Sequence, residues 1–314
     1  MKRFFTIISI SLLAVFLLSA CQEDGEADTA TNKDGKLQVV TSFTIIEDMV
    51  KEIGGDSVEV YNLVPIGTDP HEYEPLPDDI KAATDADVLF YNGLNLEGGK
   101  SGWFAKMVES VGQKEERVFE VSEGIEPMYL TSEDGKEEEI NPHAFIDPVA
   151  GIQMAENVRD ALIEVDPDNE ATYEDRATTY IETLEAIDQE YQEKIESIPE
   201  EKRILVTSER AFQYMADRYG LKEGYIWALD TEENGSPEQI TSLIEFIEEE
   251  KPPVLFLETN VDPRPLETVA KETGVEIFSG IFSDEIGKPG EEGDTYVKYL
   301  QYNIDKIYQG LTSK

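Results

Sequence analysis

Histidine is scarce in this chain of 314 residues, which contains two, His71 and His143. Each directly follows a proline and lies in a segment rich in turn residues and carboxylates. A Pro-His pair in a loop, taken alone, is more often structural or exposed than a ligand. Because neutral imidazole is the commonest metal ligand among side chains, two such segments that hold all the histidine favour a metal site. No His-Glu-x-x-His motif is present, which argues against the zinc hydrolases that use it.

Basic residues are also few, with 26 Lys and Arg against 68 Asp and Glu, so the formal net charge is −42. Such a charge repels nucleic acid and anionic membrane surfaces and attracts cations. We therefore expect no nucleic-acid partner. For most of these carboxylates a solvated acidic surface is the simpler interpretation, and the charge alone identifies no site.

Cysteine occurs once, at Cys21, which excludes an internal disulfide. Residues 1–20 have a basic start, an uncharged apolar stretch over residues 4–18 and small residues before the cysteine. These are features of an export signal, and the stretch is too short for a membrane span. Leu18–Cys21 also resembles the bacterial lipoprotein signal, whose cysteine becomes the lipidated first residue. We predict a signal peptide over residues 1–20, then a lipidated Cys21 and a flexible polar tether over residues 21–36.

The remaining chain alternates strand and helix patterns. Predicted strands are Leu37–Phe43, Val58–Val64, Val88–Tyr91, Arg117–Val121, Arg203–Thr207, Tyr225–Leu229, Pro253–Leu257 and Val275–Phe278. Predicted helices are Ile45–Ile53, Asp78–Ala86, Trp103–Val111, Asp147–Val165, Ala211–Tyr219, Pro237–Glu250, Pro265–Thr273 and Thr295–Leu311. The segments Ser122–Pro142 and Ser279–Gly293 are predicted loops. This alternation predicts an α/β fold in which mostly parallel sheets are flanked by helices.

One helical pattern, Asn169–Ile198, is unusually long, with apolar residues at spacings of three and four. At about 1.5 Å per residue it would extend over about 45 Å, enough to join two similar halves. We predict an N-terminal α/β lobe over residues 37–167, a linking helix over 168–198 and a C-terminal α/β lobe over 199–314.

Polar residues that follow the predicted strands are the candidate ligands, because open parallel sheets bind ligands beyond the carboxyl ends of their strands. Two lie in the N-terminal half, His71 and His143, and two in the C-terminal half, Glu209 and Asp284. Two neutral imidazoles and two ionised carboxylates balance the charge of one divalent cation. Four protein ligands leave little room for an activated water, which favours binding or transport over hydrolysis.

Alternatives exist for the two acids. Glu209 could be an acid near a helix start, favoured by the helix dipole. Asp284 has rivals on its own loop, which are Glu285, Glu291, Glu292 and Asp294. The two tryptophans, Trp103 and Trp227, are interpreted as core residues.

Four segments occur in a characteristic order: Asp69–Pro75, Pro142–Phe145, Thr207–Phe212 and Phe282–Asp284. With the lipoprotein signal and the long central helix, they make the chain similar to the metal-binding lipoproteins of ABC transporters. These are the cluster A-I solute-binding proteins, also called the lipoprotein receptor-associated antigen or adhesin family. The resemblance covers the chain from residue 37 onward.

The resemblance implies two α/β lobes joined by one rigid helix, with a metal ion held between the lobes. The implied ligands are His71, His143, Glu209 and Asp284, which favours Asp284 over its rivals. Glu285 is a departure, since relatives often have a small hydroxyl residue there. The protein is therefore expected to have no enzymatic activity and to act as a monomer. Its expected location is the outer face of the bacterial cell membrane, to which a lipid anchors it. It would deliver one divalent ion to the transmembrane permease subunits of a transporter that has a cytoplasmic ATPase.

The choice of metal rests on the ligand types. Zinc-specific relatives commonly carry a histidine-rich loop before the second histidine and a histidine as third ligand. Here Thr131–Ile140 has no histidine and the third candidate is Glu209. Carboxylates are harder ligands and favour Mn(II) or Fe(II), so the expected cargo is manganese. Raw affinity rises towards zinc, which makes zinc the main alternative, followed by iron. A cell-surface adhesin and a binder of another small solute are further alternatives.

Overall fold

The computed structural model describes residues 35–131, 137–229 and 235–313. The predicted signal peptide, Cys21 and nearly all of the predicted tether lie outside the described residues. Within these ranges no helix combines the length and the apolar character needed to cross a membrane.

The N-terminal lobe, here the residues before the long helix α5, is built on four parallel strands in the order β2-β1-β3-β4. The strands are β1 Leu37–Thr41, β2 Val58–Asn62, β3 Val88–Tyr91 and β4 Val118–Glu120. The helices are α1 Thr44–Gly54, α2 Pro77–Asp85, α3 Trp103–Val111 and α4 Pro148–Val165. Alternate residues of a strand face opposite sides of a sheet. Val39 accordingly packs in the core with α1 and α4, while Val40 packs with α2 and α3.

The predicted loop Ser122–Pro142 is partly wrong, because it contains two short antiparallel strands, β5 Tyr129–Thr131 and β6 Glu137–Ile140. Three of the four residues of β6 are glutamates. A strand without apolar alternation gives no sequence signal, and its pairing depends on the partner strand.

The C-terminal lobe, here the residues after α5, contains two parallel pairs, β7 with β8 and β9 with β10, and β7 contacts β9. The strands are β7 Ile204–Val206, β8 Lys222–Gly224, β9 Leu255–Glu258 and β10 Ile277–Ile281. The helices are α6 Gln213–Tyr219, α7 Pro237–Glu250, α8 Arg264–Thr273 and α9 Tyr296–Thr312.

Two predicted strand positions in this lobe need correction. The apolar run Tyr225–Leu229 is not the strand, because β8 ends at Gly224, and within the run Trp227 makes only an isolated bridge to Glu209. A Cβ on Gly224 would lie 2.4 Å from the Phe246 ring, so close packing against α7 requires glycine there. The last strand, β10, extends to Ile281 and includes residues predicted as loop.

The long central helix is confirmed as α5, Glu170–Ser197, with 28 residues, or about 42 Å of helix. It packs against α1 and α4 of the N-terminal lobe and against α6 and α9 of the C-terminal lobe. Its buried stripe is Tyr173, Ala177, Tyr180, Leu184, Ile187, Tyr191 and Ile195. These side chains belong to one core that contains residues of both lobes. Helix α5 therefore packs into the core of both lobes in addition to connecting them.

A buried carboxylate, Glu97, organises the carboxyl edge of the N-terminal sheet. It accepts hydrogen bonds from Ser42 Oγ (2.6 Å) after β1 and from Asn92 N (2.7 Å) after β3. Asn92 Nδ2 in turn donates to Pro142 O at 3.0 Å. Burial raises the pKa of Glu97 to about 7, although hydrogen bonds from Ser42 and from backbone N–H groups oppose the shift. Glu97 thus links two strand ends to the segment that bears His143.

The raised pKa of Glu97 predicts a pH-dependent stability that Glu97→Gln should remove. Stabilisation from protonated Glu97 is present below its ordinary pKa of 4.5 and is lost as the pH rises through about 7. The variant should therefore gain stability relative to the wild type by about 2 kcal/mol between pH 5 and pH 8. Denaturant unfolding of the metal-free proteins measures this difference. Glu109→Gln, at an exposed position of α3, is the control, and a constant difference for Glu97→Gln would contradict the prediction.

Candidate metal centre

The four candidate ligands all lie beyond the carboxyl ends of strands. His71 lies in the loop between β2 and α2, and His143 opens a 3₁₀ turn, His143–Ile146, directly before α4. Glu209 follows β7, and Asp284 follows β10. Because α6 begins at Gln213, Glu209 lies outside the first turn of that helix. The structure brings all four side chains to one place between the lobes.

Donor atoms of His71, His143 and Glu209 all lie within 4.8 Å of one another. His143 Nε2 is 3.8 Å from Glu209 Oε1 and 3.0 Å from Asp284 Oδ1. The two imidazole rings meet edge to face, with centroids 5.3 Å apart. His143 and Glu209 are completely buried, and Asp284 is 4% exposed. The N-terminal lobe therefore contributes two imidazoles to one buried cluster, and the C-terminal lobe contributes two carboxylates.

Three candidate ligand atoms of this cluster make no hydrogen bond within the part of the chain that the structure describes. They are His71 Nε2, His143 Nε2 and Asp284 Oδ1. The last two are close, but their orientation does not meet hydrogen-bond geometry. Buried polar atoms are almost always satisfied, so buried nitrogen and oxygen atoms that converge without a bond fit a cation ligated by all of them.

The rivals of Asp284 are placed elsewhere. Glu291 and Glu292 are exposed, and Asp294 forms an ion pair with Lys298 at 2.6 Å. Glu285 is buried but turns its Oε2 to the backbone N–H of Gly67. Asp284 is thus the acid of its loop that faces His143.

The ring of His143 is oriented by Asn141. Asn141 Nδ2 donates to Arg210 O (2.9 Å) and to Gln213 Oε1 (3.0 Å), both in the C-terminal lobe. The amide oxygen therefore faces His143, where it lies 2.7 Å from Nδ1 and also accepts the backbone N–H of His143 at 3.1 Å. An oxygen partner places the proton on Nδ1. The lone pair of Nε2 then points into the cluster, as metal ligation requires.

The backbone of Glu209 and the side chain of Asp284 are held by polar residues at the end of β9 and just after it. Glu258, completely buried, accepts the backbone N–H of Ser208 at 3.0 Å and of Glu209 at 2.8 Å. Burial raises the pKa of Glu258 to about 7 against the effect of these hydrogen bonds. Asn260 Nδ2 donates to Asp284 Oδ2 at 2.9 Å, which leaves Oδ1 directed at His143.

The protonation states suit a cation site. Burial is the largest influence on His71 and lowers its pKa, so the ring is held in its neutral form. For Asp284, burial alone would raise the pKa, but positive charge on His143 and His71 brings it well below its usual range. A bound cation would supply that positive charge when both rings are neutral. A neutral imidazole and an ionised carboxylate are the forms that bind metal ions.

Sequence reasoning missed Glu97, Glu258 and Asn260 as supports of this cluster. Glu258 is the polar last residue of the apolar strand Leu255–Glu258. The strand-end rule that selected the four candidates would have found it too. Glu97 and Asn260 carry no such signal, because their partners are defined only by the folded chain.

Residues 39–310 match the model of the family described as ZnuA, zinc-uptake complex component A, periplasmic. The chain belongs to this family. The ZnuA-family chain is 46% identical over 314 residues to the iron ABC transporter substrate-binding lipoprotein MtsA of Streptococcus pyogenes serotype M1, with 99% of each chain covered. It is 45% identical over 301 residues to the manganese ABC transporter substrate-binding lipoprotein scaA of Streptococcus gordonii, with 96% of each covered.

The fold of this ZnuA-family protein matches that of a solved structure, the periplasmic zinc-binding protein TroA of Treponema pallidum. The TM-score is 0.80 at 30% identity, and the match covers 88% of this chain and 99% of TroA. The predicted family and two-lobed α/β fold are confirmed. So is the prediction that the chain is no enzyme, because the family consists of substrate-binding components of ABC transporters. The protein is thus the substrate-binding component of a metal ABC transporter.

The hydrogen bond from His143 to Asn141 predicts which nitrogen of the neutral ring carries the proton. With two histidines in the chain, ¹⁵N NMR of the imidazole nitrogens in the metal-free protein can resolve each ring. We expect neutral His143 to be the Nδ1–H tautomer in the wild type and a mixture of both tautomers in Asn141→Ala, because the acceptor is lost.

Asn157→Ala is the matched control for this measurement. Asn157 Nδ2 donates to Val121 O at 2.8 Å, so its loss removes a side-chain amide without touching His143. Its spectrum should equal that of the wild type. A pure Nδ1–H tautomer retained in Asn141→Ala would contradict the assigned role of Asn141.

Proposed function

We propose that this protein captures one divalent transition-metal ion, Mn(II), between its lobes and delivers it to a membrane permease. The ligands in this proposal are His71, His143, Glu209 and Asp284. The observation that carries it is the convergence of their donor atoms in a buried region, where nitrogen and oxygen atoms without hydrogen bonds face one another.

The charges of the four groups support a divalent cargo. Two neutral imidazoles and two carboxylates balance the charge of one such ion. Burying a carboxylate without a cationic partner costs several kcal/mol, and no Lys or Arg forms an ion pair with Asp284 in the described ranges. An ion that both lobes ligate would remove this cost only when the lobes are together. Metal binding and lobe closure are therefore coupled in the proposal.

Manganese is favoured by the oxygen content of the ligand set, because carboxylates are harder ligands than imidazoles. The related proteins are named for iron and for manganese, and the matched solved structure is of a zinc-binding protein. Zinc is the second candidate, since four nitrogen and oxygen ligands also suit its tetrahedral coordination and its raw affinity is higher. Iron(II) shares the preference for oxygen and is the third.

The setting of this function follows the sequence signals. We propose that residues 1–20 are removed and that a lipid on Cys21 anchors the protein to the outer face of the cell membrane. The tether up to residue 36 would let the folded body reach the transmembrane permease subunits, which a cytoplasmic ATPase drives. The proposed lobes are residues 37–167 and 199–314, with the linking helix over 168–198, and the protein acts as a monomer.

Metal analysis of purified residues 22–314 tests the proposed ligands. We expect about one divalent ion per chain in the wild type and almost none in the double variant His71→Ala, Glu209→Ala. Glu72→Ala, which removes an exposed carboxylate next to His71, is the control and should keep its ion. Equal metal content in the double variant and the wild type would reject the site.

Calorimetric titration of the metal-free protein with Mn(II), Fe(II) and Zn(II), followed by a growth test, separates the candidate metals. We expect one site for each ion, with zinc binding at least as tightly as manganese because of its higher intrinsic affinity. Growth of a strain that lacks the gene should nevertheless be restored by added Mn(II). Restoration by Zn(II) and not by Mn(II) would replace manganese with zinc as the physiological cargo.

A further inference from the structure

Three consecutive residues of the C-terminal lobe contact the N-terminal lobe at separate points. Asp284 Oδ1 lies 3.0 Å from His143 Nε2. The next residue, Glu285, accepts the backbone N–H of Gly67 with Oε2. The backbone N–H of Ile286 then donates to Thr44 Oγ1, the side chain of the first residue of α1, at 3.2 Å. We call residues 284–286 the cleft strap.

The contact to Gly67 reaches the loop that carries His71. Residues Pro65–Thr68 form a turn in which Thr68 N donates to Pro65 O at 3.1 Å. Gly67 occupies the third position with φ +85°, a conformation that favours glycine and is typical of a type II turn. In such a turn the N–H of the third residue is not used by the turn itself. This N–H can donate to a group outside the turn, and Glu285 Oε2 accepts the hydrogen bond.

Glu285 is well placed to hold this turn. Its side chain is 9% exposed, so its hydrogen bond to Gly67 is largely shielded from water. Its neighbour Ile286 is buried in the shared core, and Ile66 of the turn packs against the same core. The strap therefore joins the loop that carries His71 to the residue next to Asp284 by a hydrogen bond that is shielded from water.

We propose that Glu285 is a positioning residue that keeps the His71 loop closed over the bound ion and so slows release of the metal. The inference rests on the proposed function, because it assigns Glu285 a part in retaining the ion that the four ligands bind. Glu285 does not ligate the ion in this proposal. It acts through Gly67, four residues before His71, and its effect depends on the reach of the side chain more than on its charge.

Metal release measured by stopped-flow mixing with excess chelator tests the role of reach. Glu285→Asp keeps the charge but shortens the side chain by one methylene, and it should release Mn(II) about tenfold faster, as expected for loss of one such hydrogen bond. Glu285→Ser should do the same. Glu285→Gln keeps the length and an acceptor oxygen, and its release rate should stay within about twofold of the wild type. Association rates should be unchanged in all three.

The control is Glu291→Ser, which removes an exposed acid from the same loop and should release metal at the wild-type rate. Fast release from both Glu285→Gln and Glu285→Asp would show that the interaction is not set by reach and would overturn the proposal. Wild-type release rates in Glu285→Asp and Glu285→Ser would overturn it as well.

Thr44→Val provides a second test through the other end of the strap. It removes the acceptor for Ile286 N while preserving the shape of the side chain. If residues 284–286 act as one unit, Glu285→Asp and Thr44→Val together should speed release by less than the product of their separate effects. Strictly multiplicative effects would show that the two contacts are independent and would reject the strap as a unit.

Hydrogen exchange of the Gly67 amide in the metal-free protein separates this inference from the proposed function. The amide should be protected in the wild type and in Glu285→Gln, and it should exchange about tenfold faster in Glu285→Asp. This result does not require metal binding. Protection of Gly67 together with no metal bound by the wild type would reject the proposed function alone, whereas equal exchange in all variants would reject the contact to Glu285.

Discussion

The structure depends on one electrostatic constraint, the burial of two carboxylates and two imidazoles at a single point between the lobes. Asp284 stays ionised there although it is almost fully buried, and Glu209 is completely buried beside His143. An ionised carboxylate is costly to bury without a compensating positive charge. A divalent cation at this point would remove the cost, and much of the surrounding polar structure keeps the ligand atoms directed inward.

That surrounding structure is a set of hydrogen bonds between parts of the chain that are distant in sequence. Asn141 orients His143 while it holds the backbone of the opposite lobe, and Glu258 holds the backbone N–H of Glu209. Tyr299 OH donates to Ser283 O at 2.8 Å, and Tyr296 OH donates to Phe145 O at 2.6 Å. Helix α9 thereby fixes the backbone next to Asp284 and close to His143. Both lobes share these supports as well as the core along α5.

Sequence patterns predicted the regular elements well where periodicity was strong and poorly where it was weak. Helices α3 and α7 have the predicted bounds, Trp103–Val111 and Pro237–Glu250, because their apolar stripes and end signals agree. The strand β6 was missed because it is acidic, and β8 was placed too late because the apolar run after Gly224 resembles a strand more than Lys222–Gly224 does. In both cases pairing with a neighbouring strand outweighs local preference.

The sequence by itself determined the family, the α/β class and the four candidate ligands. Rare histidines, turn residues and strand ends are local features that can be recognised from the sequence alone. Only the tertiary structure decided how those side chains are oriented. It placed Asp284 at 3.0 Å from His143 while Glu285 turned to Gly67, a division between adjacent acids that no local pattern contains. The physical reason is that the direction of a side chain depends on partners such as Asn260 and Gly67, which packing brings near from distant parts of the chain.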